Sequence, residues 1–167
     1  MPDKRTIKRA LKDKRAGKSA STQAGEFVRD EIDKIRRGKH GARSPQQAIA
    51  IGLSEARRAG LDLPPPRKGK TKATTRRSAQ YAYDVGQHRR KAKRSPRVAR
   101  AVSEVLKREP GNTASRAALS RQTKRAAKRR TAAERSAAAK KAARTKGAAG
   151  RSAAARKAAR TRARRAA

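Results

Sequence analysis

Lysine and arginine supply 50 of the 167 residues, and aspartate and glutamate only 12, for a formal charge of +38. This imbalance constrains the chain more than any motif, because like charges at such density repel in every compact state. The residues available to oppose that repulsion are small. Hydrophobic residues make up 34% of the chain and most are alanine, with one Phe, two Tyr and no Trp. Alanine buries too little area to offset the ordering entropy of the whole length. The composition argues against the large apolar core of an ordinary enzyme. It implies a small ordered part and long solvated parts.

Several chemistries fall away with it. The chain has no cysteine, so it carries neither a disulfide framework nor a thiolate metal site. His40 and His88 stand alone among cations, which disfavours metal binding. No phosphate-cradling glycine loop, nucleophile elbow or His–carboxylate set is present. The sequence therefore points to no enzyme, no cofactor and no metal. No apolar run approaches a membrane span, and no apolar leader follows the first residues. The expected location is the cytoplasm, with the nucleoid.

Charge grows along the chain. Residues 1–66 carry 16 basic and 8 acidic residues, 67–109 carry 15 and 3, and 110–167 carry 19 and 1. This reads as a head followed by a tail. The expected fold is mainly α, with five segments. Residues 1–20 form a basic arm, in which Ile7 and Leu11 support only a fluctuating helix. Residues 21–63 form a helical hairpin. Ser21 or Thr22 caps its first helix, and Phe27, Val28, Ile32 and Ile35 make that helix's apolar stripe. Ser44-Pro45-Gln46-Gln47 starts the second helix, with Gln47 closing a capping box and Ile49 and Leu53 on its apolar side. Leu61 and Leu63 fold back before Pro64-Pro65-Pro66. Residues 64–77 form a stiff basic linker.

Residues 78–109 carry two short helices. The first runs through Tyr81, Tyr83 and Val85 and breaks near Gly86. The second opens at Ser95-Pro96 and shows a clear stripe at Val98, Ala101, Val102, Val105 and Leu106. Packing of the tyrosines against that stripe is the expectation. After Pro110-Gly111, Asn112 or Thr113 caps one more helix, and residues 110–167 are a basic low-complexity tail, disordered or helical on binding. The tail holds a repeat of period 16. Residues 135–147 and 151–163 are identical at ten of 13 positions, and two further positions exchange Lys for Arg. No apolar stripe runs through either copy, so this is not a solenoid unit.

The candidate functional residues are phosphate contacts. Within the tail they are Arg135, Lys140, Lys141, Arg144 and Lys146 of the first copy, and Arg151, Arg156, Lys157, Arg160 and Arg162 of the second. On a helix turning by about 100° per residue, Arg135, Lys140, Lys141 and Arg144 fall near 0°, 140°, 240° and 180°. They surround the axis and form no strip. The repeat has no Asn, Gln or Glu to read base edges, so binding should ignore sequence. The loop 36–44 is the second candidate. Arg36, Arg37, Lys39 and Arg43 supply charge, two glycines permit close approach, and Ser44 opens a helix whose free amides attract anions. Arg57 and Arg58 contact phosphate or complement a helix dipole. Glu26, Asp30, Glu31 and Asp33 form the one acidic cluster, with Asp30–Lys34 and Asp33–Arg37 spaced for ion pairs. That face also suits a basic arm.

The runs Ala24-Gly-Glu-Phe-Val-Arg, Gly38-Lys-His-Gly-Ala-Arg-Ser44 and Gln47-Ala-Ile-Ala-Ile-Gly-Leu-Ser-Glu-Ala-Arg-Arg58 resemble a family of small basic bacterial proteins. Its members carry a domain of unknown function and are often labelled DNA-binding or plasmid-stabilisation proteins. The resemblance covers residues 20–66, and the tail is similar in style to linker-histone and bacterial histone-like tails. It implies a bacterial, DNA-associated protein. Charge and resemblance together lead to one expectation: a non-enzymatic, histone-like protein that coats, bridges or compacts double-stranded DNA. RNA or the ribosome is the second polyanion that fits, and a protein-docking head is the third reading. No membrane partner is expected, and the helical head is a candidate for self-association.

Overall fold

A computed structural model describes residues 3–93 and 95–166. The first two residues of the expected arm, Arg94 of the 78–109 segment, and Ala167 of the tail lie outside the described residues. The described residues form seven α-helices, one 3-10 turn and no strand, so the fold is mainly α. They divide into two compact units, one reaching Gln122 and the other spanning Thr123–Ala167.

The centre of the first unit is the antiparallel pair α2 (Ala20–Arg36) and α3 (Pro45–Arg58). Helix α2 starts before Ser21 and Thr22, with Ser19 in the cap position. Ser19 makes no cap bond to the backbone and instead meets the hydroxyls of Ser21 and Thr22, each at 3.0 Å. Gly38, at φ 70°, turns the chain out of α2. Helix α3 begins with Pro45 in its first turn, and Ser44 Oγ accepts from Gln47 N at 3.2 Å. The Gln47 side chain closes the start one residue further out, accepting from Arg43 N at 2.7 Å.

Two small cores lie at opposite ends of this pair. At one end Phe27 packs with Ala24 and Ala56, and Leu53, Leu61 and Leu63 lie against them. At the other, Ile35 packs with Ala42, Ala48 and Ala114, and Ile32 lies against them. Val28 and Ile49 are half-buried. Between the cores the helices nearly touch. A Cβ on Gly52 would stand 2.6 Å from Val28 Cα.

Helix α1 (Lys4–Arg15) occupies the stretch read as an arm. Asp3 caps it, accepting from Arg5 N at 2.8 Å. Thr6 and Ala10 are buried, and Ala10 and Ile7 join the Phe27 core. Packing supplies what two apolar residues cannot supply to an isolated helix. Helix α4 (Ala73–Gly86) lies on α3. It starts five residues before the expected 78, which shortens the linker to 64–72. Gly86 lets α4 meet the end of α3, because a Cβ there would stand 1.8 Å from Arg57 O.

The tyrosines do not pack on the Val98–Leu106 stripe. Tyr83 Oη donates to Asp62 Oδ1 at 2.7 Å, and Tyr81 Oη accepts from Lys93 N at 2.9 Å. Arg90 stacks over Tyr81 at 4.9 Å. Helix α5 (Pro96–Arg108) starts at the Ser95-Pro96 signal and buries no residue. The 3-10 turn Asn112–Ala114 takes the place expected for a cap at Asn112 or Thr113. Ser115 caps α6 (Arg116–Lys128) instead, accepting from Ala118 N at 3.2 Å. Residues 112–122 belong to the head. Ala114 is fully buried, and Gln46 Nε2 donates to Gln122 Oε1 at 2.5 Å.

The second unit contains the end of α6 and α7 (Ala132–Ala166), which breaks at Gly147. Thr131 and Glu134 form a capping box, with Thr131 N to Glu134 Oε2 at 3.0 Å and Glu134 N to Thr131 Oγ1 at 3.1 Å.

The crossing at Gly52 yields a paired prediction. Gly52→Ala should destabilise the head by about 1–3 kcal/mol, because the backbone of α2 cannot retreat. Gly25→Ala, on the open side of α2 with nothing within 4 Å, should stabilise it by up to about 1 kcal/mol. Thermal unfolding followed at 222 nm measures both.

Candidate nucleic-acid interface

The loop 36–44 is clasped by a segment far along the chain. Gly41 N donates to Leu106 O at 2.7 Å, and Ala42 N donates to Pro110 O at 3.2 Å. Thr113 Oγ1 donates to Ala42 O at 2.8 Å, and Arg36 Nε donates to Ala114 O at 2.9 Å. Gly41 is a close-approach glycine, since a Cβ would stand 1.8 Å from Glu109 O. The amides of Gly41 and Ala42 are therefore occupied by carbonyls, and at the helix start itself Gln47 N is taken by Ser44. The hydroxyl of Ser44 is occupied by its own helix start. Arg37, Lys39 and Arg43 remain exposed beside the clasp. They offer a diffuse cationic edge in place of a built phosphate site.

Arg57 and Arg58 have separate fates. Arg57 is buried, with Nε donating to Leu63 O at 3.1 Å and a terminal nitrogen donating to Pro64 O at 3.4 Å. Burial lowers its pKa from the usual arginine value. It ties the chain after α3 back onto the helix, so it is a fold residue. Arg58 is exposed.

The acidic cluster faces inward. Lys34 Nζ sits 2.9 Å from Asp30, 3.9 Å from Glu31 and 3.4 Å from Glu55 on α3. The expected Asp30–Lys34 pair is thus present within a larger network joining α2 to α3. Asp33 forms no ion pair with Arg37 among the described residues. Glu31 is 1% exposed, and its Oε1 lies 3.5 Å from His40 Nε2. Nδ1 of His40 lies 3.1 Å from Gly41 O, and a carbonyl can only accept, so Nδ1 carries a hydrogen. Burial, with Glu55 and Asp30 nearby, raises the Glu31 pKa against the opposing pull of His40 and Lys34. The surrounding carboxylates and the Asp30 hydrogen bond raise Lys34 in spite of its burial. Glu26 receives the arm, pairing with Arg9 Nε at 2.6 Å. Among the described residues no group of three or more His, Cys, Asp or Glu is placed to hold a metal ion.

Exposed cations run along much of the described chain, and two helices carry them densely. The outer face of α1 presents Arg5, Lys8, Lys12 and Arg15 around the exposed Leu11, lining an open groove of about 480 Å³. Sequence reasoning passed over this face because it treated the arm as a whole. Asp3 as a cap and the 6/7/10 spacing of Thr6, Ile7 and Ala10 were the available signals.

The second of these helices is α7. All ten tail residues singled out above, from Arg135 to Arg162, are exposed along it. The repeat is visible as repeated bonding. Thr145 Oγ1 donates to Lys141 O and Thr161 Oγ1 donates to Lys157 O, both at 2.9 Å. Gly147, at φ 66°, ends the first copy, where the second copy has Ala163. Arg151 reaches back across the break and donates to Ala143 O at 2.8 Å, satisfying a carbonyl near the interrupted helix end. The single acid of the unit, Glu134, serves in the capping box. The unit Thr123–Ala167 therefore presents 17 cations and one committed carboxylate. Among the described residues no helix is long and apolar enough to cross a membrane.

Residues 4–68 match a family of unknown function (DUF6496). The match begins where α1 begins and runs through α2 and α3 into the linker, so it takes in the helix first read as an arm. No curated protein and no solved structure matches the chain.

The buried Glu31 makes stability depend on pH. Its folded pKa is raised above 4.5, so the native state holds the proton more tightly than the unfolded chain. That contribution is complete below about pH 4.5 and is lost as pH rises through the folded value. Glu31→Gln should remove this decline, leaving a flatter melting temperature from pH 4.5 to neutrality. Thermal melts of both proteins across that range provide the measurement.

Proposed function

We propose that this chain binds nucleic acid without regard to sequence, duplex DNA foremost, and coats, bridges or compacts it by neutralising phosphate. The observation that carries the reading is the second unit: 17 cations, 12 of them on the alanine-rich α7, whose one acid is occupied in a cap. Exposed cations exchange bound counterions for phosphates, and the released ions drive association. Because the charges encircle α7, they suit contact with more than one strand better than insertion in one groove. The side chains of the repeat that hydrogen-bond at all are taken up locally or are cations, which leaves little to read base edges.

The head supports the same reading in a secondary role. Most of its carboxylates are engaged in caps and pairs within the head, and the outer face of α1 and the edge at Arg37, Lys39 and Arg43 are exposed. The protein acts on DNA as a charged scaffold rather than as a catalyst. The location that follows is the nucleoid of a bacterial cytoplasm.

Two outcomes are expected. For full-length protein on duplex DNA, log K should fall linearly with log salt, by about 0.9 per phosphate contacted. Replacing Arg135, Lys140, Lys141 and Arg144 with glutamine should make that slope shallower by roughly 3 to 4, and it should leave the melting of the head unchanged. An unaltered slope removes α7 from the interface, and tighter binding to structured RNA at the same salt reassigns the polyanion.

A further inference from the structure

Helix α5 stands apart in the head. Val98, Ala101, Val102 and Val105 make its stripe, yet the three valines are 60%, 52% and 56% exposed. No other helix packs along it among the described residues. It is held by its C-terminal end, through the bond from Gly41 N to Leu106 O. In a chain with few large apolar residues, a formed apolar face left in water signals an absent partner.

The charges beside the stripe say which partner fits. Written as a heptad, Val98 and Val105 take position a, Ala101 takes d and Val102 takes e, with Arg97 and Glu104 at g. Two copies laid antiparallel, with a two-fold axis between Ala101 and Val102, set Val98 against Val105 and Ala101 against Val102 in every layer. The same register brings Arg97 of each copy beside Glu104 of the other. Parallel alignment instead sets Glu104 beside Glu109 of the second copy, twice. Within its own chain Glu104 makes no ion pair among the described residues. Arg100 and Lys107 fall on the far side of the helix, away from the seam.

We propose that α5 is a self-association surface, through which two copies of this chain pair antiparallel over Val98, Ala101, Val102 and Val105 and are oriented by reciprocal Arg97–Glu104 pairs. The contact is isologous and closes at two. One short helix per copy keeps the interface small, below about 1,200 Å² in total, so the dimer is reversible. The repulsion between two highly cationic chains is screened beyond about 8 Å at physiological ionic strength. The proposal stands on the head alone and holds whether or not the tail binds DNA. If both hold, each dimer carries two tails and links two duplexes.

Sedimentation equilibrium on the full chain, freed of nucleic acid, tests it. A monomer–dimer equilibrium is expected, weakened by at least about tenfold in Val102→Glu. Arg97→Glu and Glu104→Arg should each weaken it, and the double reversal should restore it. All these positions are exposed, so the head's melting serves as the control for folding. The chain lacks cysteine, which permits a second test. A chain carrying Val98→Cys should crosslink to one carrying Val105→Cys and not to itself. A monomer at every concentration, a dimer indifferent to Val102→Glu, a double reversal that fails to restore pairing, or self-crosslinking at position 98 would overturn the proposal.

Discussion

Close approach of backbones holds the head together, because its side chains are too small to do so at ordinary helix spacing. Gly52 against Val28, Gly86 against Arg57 O, and Gly41 against Glu109 O are the three places where a methyl group would collide with main chain. Each brings a different element onto the central pair: α3 onto α2, α4 onto α3, and the 106–114 segment onto the loop 36–44. Alanines then fill the shortened distances, with Phe27 and Ile35 as the large anchors of the two cores. Helices packed this way bury little area each, so the head depends on several such contacts at once.

Scarce carboxylates are the complement of that packing. Asp3 caps α1, Asp13 pairs with Lys18, Glu26 with Arg9, and Asp30, Glu31 and Glu55 gather around Lys34. Asp62 accepts from Tyr83 and Asp84 accepts from Gln80. Eight of the eleven acids of the head are committed in this way, and Asp33, Glu104 and Glu109 are not among them. What remains outside is positive, and it remains so because the acids that could have neutralised it are engaged within. The positive field outside the head therefore reflects how the head is built as well as its composition.

Much of the local structure was legible. Ser44-Pro45 and Ser95-Pro96 start helices where they should, Gly38 and Gly60 end the hairpin helices in the left-handed region, and Asp30 finds Lys34 four residues on. These are signals carried within one or two turns. The misreadings involve distance. Arg57 reads as a terminal cation, and only the returning carbonyls of Leu63 and Pro64 make it internal. Gly41 reads as room for an approaching phosphate, and only the arrival of residues 106–110 fills it. Residues 1–20 read as an arm, and only α2 supplies the surface on which Ile7 and Ala10 pack.

From sequence alone came the charge excess, the helical character, the repeat and its lack of an apolar face, since these follow from residue type and near neighbours. Tertiary structure alone decided which cations of the head are engaged, burying Arg57, tying the exposed Arg36 to Ala114 O and leaving the outer face of α1 charged. It also left the valines of α5 uncovered. Arg36 meets a carbonyl 78 positions away and Arg57 one beyond the end of its own helix, and no local pattern records which residues will meet or which face will be left without a neighbour.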